Sequence, residues 1–139
     1  MASANDLAAY ILEKHGSMTA MKLQKLCYYS QAYSLAWSNT TIFDEPIQAW
    51  TNGPIIPSLW KAHKGQFMVH EIKGNPEELS IRDRSVIDAV LDALGGLTGK
   101  QLSDRTHNEE PWKNRYDGND DFPNGVISPE DLRSYYGRT

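Results

Sequence analysis

Apolar side chains recur at helical spacing along much of the chain. Between residues 19 and 37, Leu23, Leu26, Cys27, Ser30, Tyr33 and Trp37 fall every three or four positions, and Tyr29 and Ala36 widen the same face. A stripe that broad and long predicts a central helix packed by others. Shorter stripes follow at Leu7, Ile11 and Leu12, at Val86, Ile87, Val90, Leu91 and Leu94, and at Leu132, Tyr135 and Tyr136. Helix starts are punctuated by side chains that bond to free backbone N–H groups. Ser3 with Asp6, Ser80 with Asp83 and Thr98 with Gln101 have capping-box spacing, and Leu97 and Leu102 add a staple to the last. Thr19 is expected to cap the central helix, with Met18 and Leu23 as its staple. Pro57 opens a short helix, Asn108 is expected to cap one holding Glu109, Glu110 and Pro111, and Ser128-Pro129-Glu130-Asp131 starts the last. His15-Gly16, "SNTT" and Gly95-Gly96 are the matching stops.

Two stretches break this period. "PIQAWTNG" and "QFMVHEIKGN" have the alternation and composition of strands, and are expected to pair across the short helix between them. "DGNDDFPNG" is a loop by composition. The expected fold is therefore mainly α with minor β. About six helices surround a central helix at 19–37, with a small antiparallel sheet near 46–52 and 67–73. At 139 residues the chain reads as one domain spanning 1–139, with the assignment of the tail 117–139 left open.

Charge narrows the function. A net charge of −4, with no run of five or more Lys or Arg, argues against direct nucleic-acid binding. No apolar run is long enough to span a bilayer, and "MASANDLAAYILEK" lacks the basic start and long uncharged core of a signal peptide. Cytoplasmic residence without membrane association is the expectation. The single cysteine, Cys27, excludes an internal disulfide and a cysteine-based zinc cluster, and its place on the apolar stripe reads as packing.

Candidate chemistry is sparse. His63, His70, His107 and Glu110 are the residues from which a metal site would have to be drawn; in the simpler reading His107 orders a loop and Glu110 stabilises a helix start. "DGNDDF" begins like a calcium loop but has Phe122 where glycine is required and Ser128 where a bidentate glutamate is required. "LGGLTGKQL" lacks phosphate-loop spacing, and no hydrolase or metalloprotease motif is present. No cofactor, metal or catalytic residue is therefore expected. The corner "QAWTNGPIIPSLWKAH" (48–63) is stiffened by Pro54 and Pro57, which also push Gly53 and Ile56 towards extended conformations. It reads as scaffold. Trp50 there reads as core, and Trp60 equally as core or as a contact residue.

Three blocks carry a family resemblance: "MTAMKLQKLCYYSQAYSLAW" (18–37), "IQAWTNGPIIPSLWKAHKG" (47–65) and "LTGKQLSDRTHNEEPWKNRY" (97–116). Their Leu-Gln-Lys-Leu, Trp-x-x-Gly-Pro-x-x-Pro and Thr-His-x-x-x-Pro-Trp motifs resemble those of the Panacea-domain, SocA-like antitoxins associated with phages and mobile elements. The matching positions are Leu23, Lys25, Leu26, Tyr29, Trp50, Gly53, Pro54, Pro57, His63, Thr106, His107, Pro111 and Trp112, and most of them read as fold-defining. The resemblance implies an antitoxin that neutralises a cognate toxin, the product of an adjacent gene, by direct protein–protein binding. It leaves homo-oligomerisation open. Trp60, Trp112, Tyr116, Asp117, Asp120 and Asp121 are the candidate toxin contacts. Two alternatives are an adaptor that delivers the toxin to a protease, and a small metal-dependent or histidine-based enzyme that reverses the toxin's chemistry through His63, His107 and Glu110.

Overall fold

A computed structural model of the chain describes residues 1–118 and 125–138. Within them α1 (Ala4–His15), β1 (Met18–Thr19), α2 (Ala20–Ser38), β2 (Ile47–Trp50), β3 (Gly53–Ile55) and α3 (Pro57–His63) form the first half. β4 (Met68–Val69), a 3-10 turn at Pro76–Glu78, α4 (Ile81–Leu94), α5 (Gly99–His107), α6 (Glu110–Arg115), β5 (Val126–Ile127) and α7 (Pro129–Tyr136) complete it. The protein is mainly α with minor β, as its periodicity requires. The caps at Ser3, Thr19, Ser80, Thr98 and Ser128 all hold, each accepting a backbone N–H three residues on.

α2 is the axis. Every residue from Leu23 to Ala32 is buried, and helices α1, α4, α5 and α7 all pack against it. Burial on all sides puts polar side chains inside, and each needs a partner. Gln31 uses both ends of its amide, donating to Phe43 O at 2.8 Å and accepting from Ile42 N at 2.7 Å. Gln24, two turns earlier on the same face, does the same to Ile56, accepting its N–H at 2.8 Å and donating to its carbonyl at 3.3 Å. The two glutamines thus clip two passing loops to the helix where no strand could pair. Ser30 donates back to Leu26 O at 2.8 Å. Lys25 has no such partner among the described residues.

The strand-like stretches do contribute strands, but to two separate sheets. β2 pairs antiparallel with β3 on one side and β5 on the other, while β4 pairs with β1. The β2–β3 hairpin sets Trp50 opposite Gly53 and Ala49 opposite Pro54. Proline is tolerated because β3 is an edge strand, where a missing donor breaks no ladder. Asn108 also differs from expectation. It closes α5, with its backbone N–H reaching Arg105 O at 3.2 Å and its amide donating to Asp104 O at 3.1 Å, and α6 begins after Glu109.

α7 is held against α2 by an aromatic cluster built around one carboxylate. Glu109 Oε1 accepts from Tyr29 at 2.6 Å and Tyr136 at 2.8 Å, and Tyr28 and Tyr136 share a hydroxyl–hydroxyl bond of 2.9 Å. Burial and the Glu109 charge raise the phenol pKa values of Tyr29 and Tyr136 above the ordinary range, so both stay protonated as donors. Among the described residues no helix is long and apolar enough to cross a membrane.

Candidate functional site

The three motif blocks meet at one place. Lys25 from α2, Gly53 from the β2–β3 hairpin and Thr106 from α5 are in mutual contact range, since a methyl group built on Gly53 would stand 2.8 Å from both Lys25 Cε and Thr106 Oγ1. Gly53 has φ +116°, a region that residues with a side chain rarely adopt, so both backbone and space demand glycine there. Thr106 is satisfied by Ser103 O at 2.7 Å, and Ser103 in turn donates to Asn52 O at 2.6 Å, which ties α5 to the hairpin.

Beside this contact a cleft of about 200 Å³ opens, lined by Gln24, Lys25, Trp50, Asn52, Trp60 and His63 among others. Trp50 and Trp60 meet edge to face with centroids 5.7 Å apart, and Trp60 is 37% exposed. His63, the last residue of α3, is buried with its Nε2 2.9 Å from the Gln24 amide nitrogen. The Ile56 N–H fixes which end of the Gln24 amide is oxygen, so the nitrogen faces His63 and Nε2 must accept. The ring therefore carries its proton on Nδ1. Burial, with the nearby Lys25 charge adding to it, holds His63 below its usual pKa.

Lys25 is the anomaly. It is completely buried, and its Nζ has no hydrogen-bond partner among the described residues. Burial pushes its pKa down to about 7, against 10.5 for an ordinary lysine. Nothing in the lining of the cleft supplies a carboxylate to hold the charge. Three other buried side-chain atoms also lack a hydrogen-bond partner among the described residues: Asn5 Oδ1, Arg84 Nε and His107 Nε2, the last in a ring whose centroid is 4.2 Å from that of Trp112.

The other candidates separate by place. Trp112 is half-buried, donates its indole N–H to Trp50 O at 2.7 Å and stacks on Tyr116 at 4.7 Å. Tyr116 reaches Thr51 Oγ1 at 2.9 Å. Trp60–Trp50 and Trp112–Tyr116 thus form two aromatic pairs joined through the Trp50 carbonyl, with only Trp60 among the four classed as exposed. Asp117, next after Tyr116 in the chain, is exposed, while Asp120 and Asp121 lie outside the described residues. His63, His107 and Glu110 do not converge: His63 is bonded to Gln24, His107 lies on Trp112, and Glu110 pairs with Arg138 at 3.1 Å. Among the described residues no three His, Cys, Asp or Glu side chains gather as a metal ligand set. Cys27 is fully buried, and burial raises its thiol pKa, which suits packing.

Sequence reasoning missed Gln24 and Glu109 as organising residues. The available signal for Gln24 was a glutamine repeated seven positions later, at Gln31, on an otherwise apolar face. A family model described as Antitoxin SocA-like, Panacea domain matches residues 23–113. No curated protein and no solved structure is significantly similar to the chain.

Proposed function

The chain belongs to the SocA-like, Panacea-domain antitoxin family, and from that premise we propose that it neutralises a cognate toxin, encoded by an adjacent gene, by binding it directly. The observation that carries this reading is the family match, which covers Gln24, Lys25, Trp50, Asn52, Trp60 and His63 of the cleft and Thr106 beside it. The cleft adds a surface suited to the task. A rigid hairpin-to-helix corner presents Trp60 at the rim with Trp50 behind it, and anchored tryptophans of this kind carry disproportionate binding energy in protein interfaces. Neutralisation is stoichiometric in this reading and takes place in the cytoplasm.

The test is co-expression with the product of the adjacent open reading frame. That product alone should arrest growth, the pair should not, and the two proteins should elute together at a fixed ratio. Rescue at a small fraction of one antitoxin per toxin, or rescue without a complex, would overturn direct binding.

A further inference from the structure

We propose that the Lys25 cleft is a receptor for a single carboxylate side chain, glutamate or aspartate, which the bound partner protein inserts beside the Trp50–Trp60 pair. This inference rests on the direct-binding reading and gives the partner's anchor a chemistry. Four observations converge on it. Lys25 Nζ is buried without a partner, in a family of contacts where Gln24, Ser30, Gln31 and Thr106 all have theirs. An amine left in that state loses its water and gains nothing in exchange, which is costly unless something else supplies the acceptor. The cavity beside it, about 200 Å³, is the size of a side chain and not of a nucleotide cofactor. Its lining holds no acid, and His63 is kept neutral by accepting from Gln24, so the cleft offers one positive charge. One charge matches a monoanionic carboxylate better than a phosphate dianion.

The chain's overall charge of −4 makes this local inversion informative. An acidic protein with one buried cation at the inner end of an aromatic cleft, and Lys64 Nζ over the Trp60 ring at its rim, selects a partner by where its acid sits, since misplacing a negative charge on such a surface costs affinity. The lysine stem has four rotatable bonds, and Trp60 stands at the rim on a seven-residue helix, so the ammonium and the incoming carboxylate can meet inside the cleft.

Two measurements on the full chain test this. In the first, a capped glutamate (N-acetyl-glutamate methylamide) is titrated against wild type and Lys25→Met, with tryptophan fluorescence as readout and capped glutamine, acetate and inorganic phosphate as comparators. A saturable change with capped glutamate, absent with capped glutamine and lost in Lys25→Met, is expected. A flat response, an equal response in Lys25→Met, or tighter binding of phosphate overturns the carboxylate assignment. In the second, the complex with the adjacent gene's product is titrated. Lys25→Met should weaken it at least about tenfold while the variant melts no lower than wild type. An unchanged affinity overturns the partner assignment, and with acetate still binding it would make the cleft a small-carboxylate site instead. If wild type binds no toxin, the direct-binding reading fails by itself, and the first measurement still decides whether the cleft takes a carboxylate.

Discussion

Lys25 and Gly53 approach so closely that a single added methyl group on Gly53 would lie 2.8 Å from Lys25 Cε. The same methyl would strike Thr106 Oγ1 at 2.8 Å, so two side chains would have to shift to admit it. Gly53→Ala should therefore destabilise the fold by roughly 2–3 kcal/mol, combining backbone strain with overpacking. Gly65→Ala is the control. Gly65 also has a positive φ, +85°, but nothing within 4 Å of the new carbon, so only the strain remains, roughly 1 kcal/mol. Urea unfolding of both variants checks the order; equal losses would mean that the Lys25–Gly53 contact is not tight.

Lys25 should also write its burial into the pH dependence of stability. Its folded-state pKa, about 7, lies below the ordinary 10.5, so between those limits the unfolded chain binds more protons and stability rises with pH. The contribution is absent well below 7, where the buried amine must be charged, and complete above the unfolded value. Other groups frame the window. His63, held low by burial, loses stability below its own ordinary value, and Tyr10, raised to about 12, loses it at the alkaline end. From about pH 7 to about pH 8, below the range where the raised Cys27 thiol (ordinarily 9.0) begins to oppose it, the rise should therefore belong to Lys25, on the order of 1 kcal/mol, and Lys25→Met should flatten it. Denaturant midpoints of both proteins across that range decide the matter, and parallel curves would refute it.

Much of this architecture was legible from periodicity and capping. The α2 stripe, five helix starts and the stiff corner at 48–63 depend on residues within one or two turns of each other, and local chemistry specifies them. The sheet pairing did not follow. β1 and β4 are two residues each, too short to carry a pattern, and Gly53-Pro54 reads as a break until β3 is known to be an edge. The site was legible only as a set of positions. That Lys25, Gly53 and Thr106 share one contact requires knowing that α5 crosses α2 at the hairpin. Glu109 illustrates the same limit, because its phenol partners lie 80 and 27 residues away in the chain. An acid beside a helix start is sufficiently explained by the helix dipole, and nothing local points further.

Glu109 supplies the third prediction. Two phenols donate to one of its oxygens, and its other oxygen stands 3.8 Å from Arg105 Nε. Glu109→Ala should cost roughly 2–4 kcal/mol, because it strands the Tyr29 hydroxyl, leaves Tyr136 only its bond to Tyr28 and opens a cavity among the rings. Tyr136→Phe leaves the carboxylate bound to Tyr29 but takes the buried Tyr28 hydroxyl's partner away as well, so roughly 1–2 kcal/mol is expected. In Glu109→Ala the loss should be local first. Amide exchange in α7, residues 129–136, should quicken before that of α2. Uniform exchange across both helices would show that the carboxylate does not secure α7 in particular.

Trp60 and Trp112 both neighbour Trp50 but should behave as opposites. Trp112 is half-buried, and its indole N–H bonds to Trp50 O at 2.7 Å, so it braces the hairpin from within. Trp112→Phe keeps most of the ring and deletes that bond, leaving a backbone carbonyl to find another donor; roughly 1–2 kcal/mol of stability should go, with toxin affinity changed only as far as unfolding removes competent protein. Trp60 makes an edge contact with Trp50, has Lys64 Nζ 5.6 Å over its ring and is 37% exposed at the rim. Trp60→Ala should lower stability by less than about 1 kcal/mol and weaken the toxin complex by roughly 2 kcal/mol or more, the size of an interface hot spot. Thermal melts and titration against the adjacent gene's product, run on both variants, separate the two roles. Should Trp60→Ala unfold the protein while leaving the affinity of the folded fraction intact, the aromatic rim would be core, and the toxin contact would have to lie elsewhere.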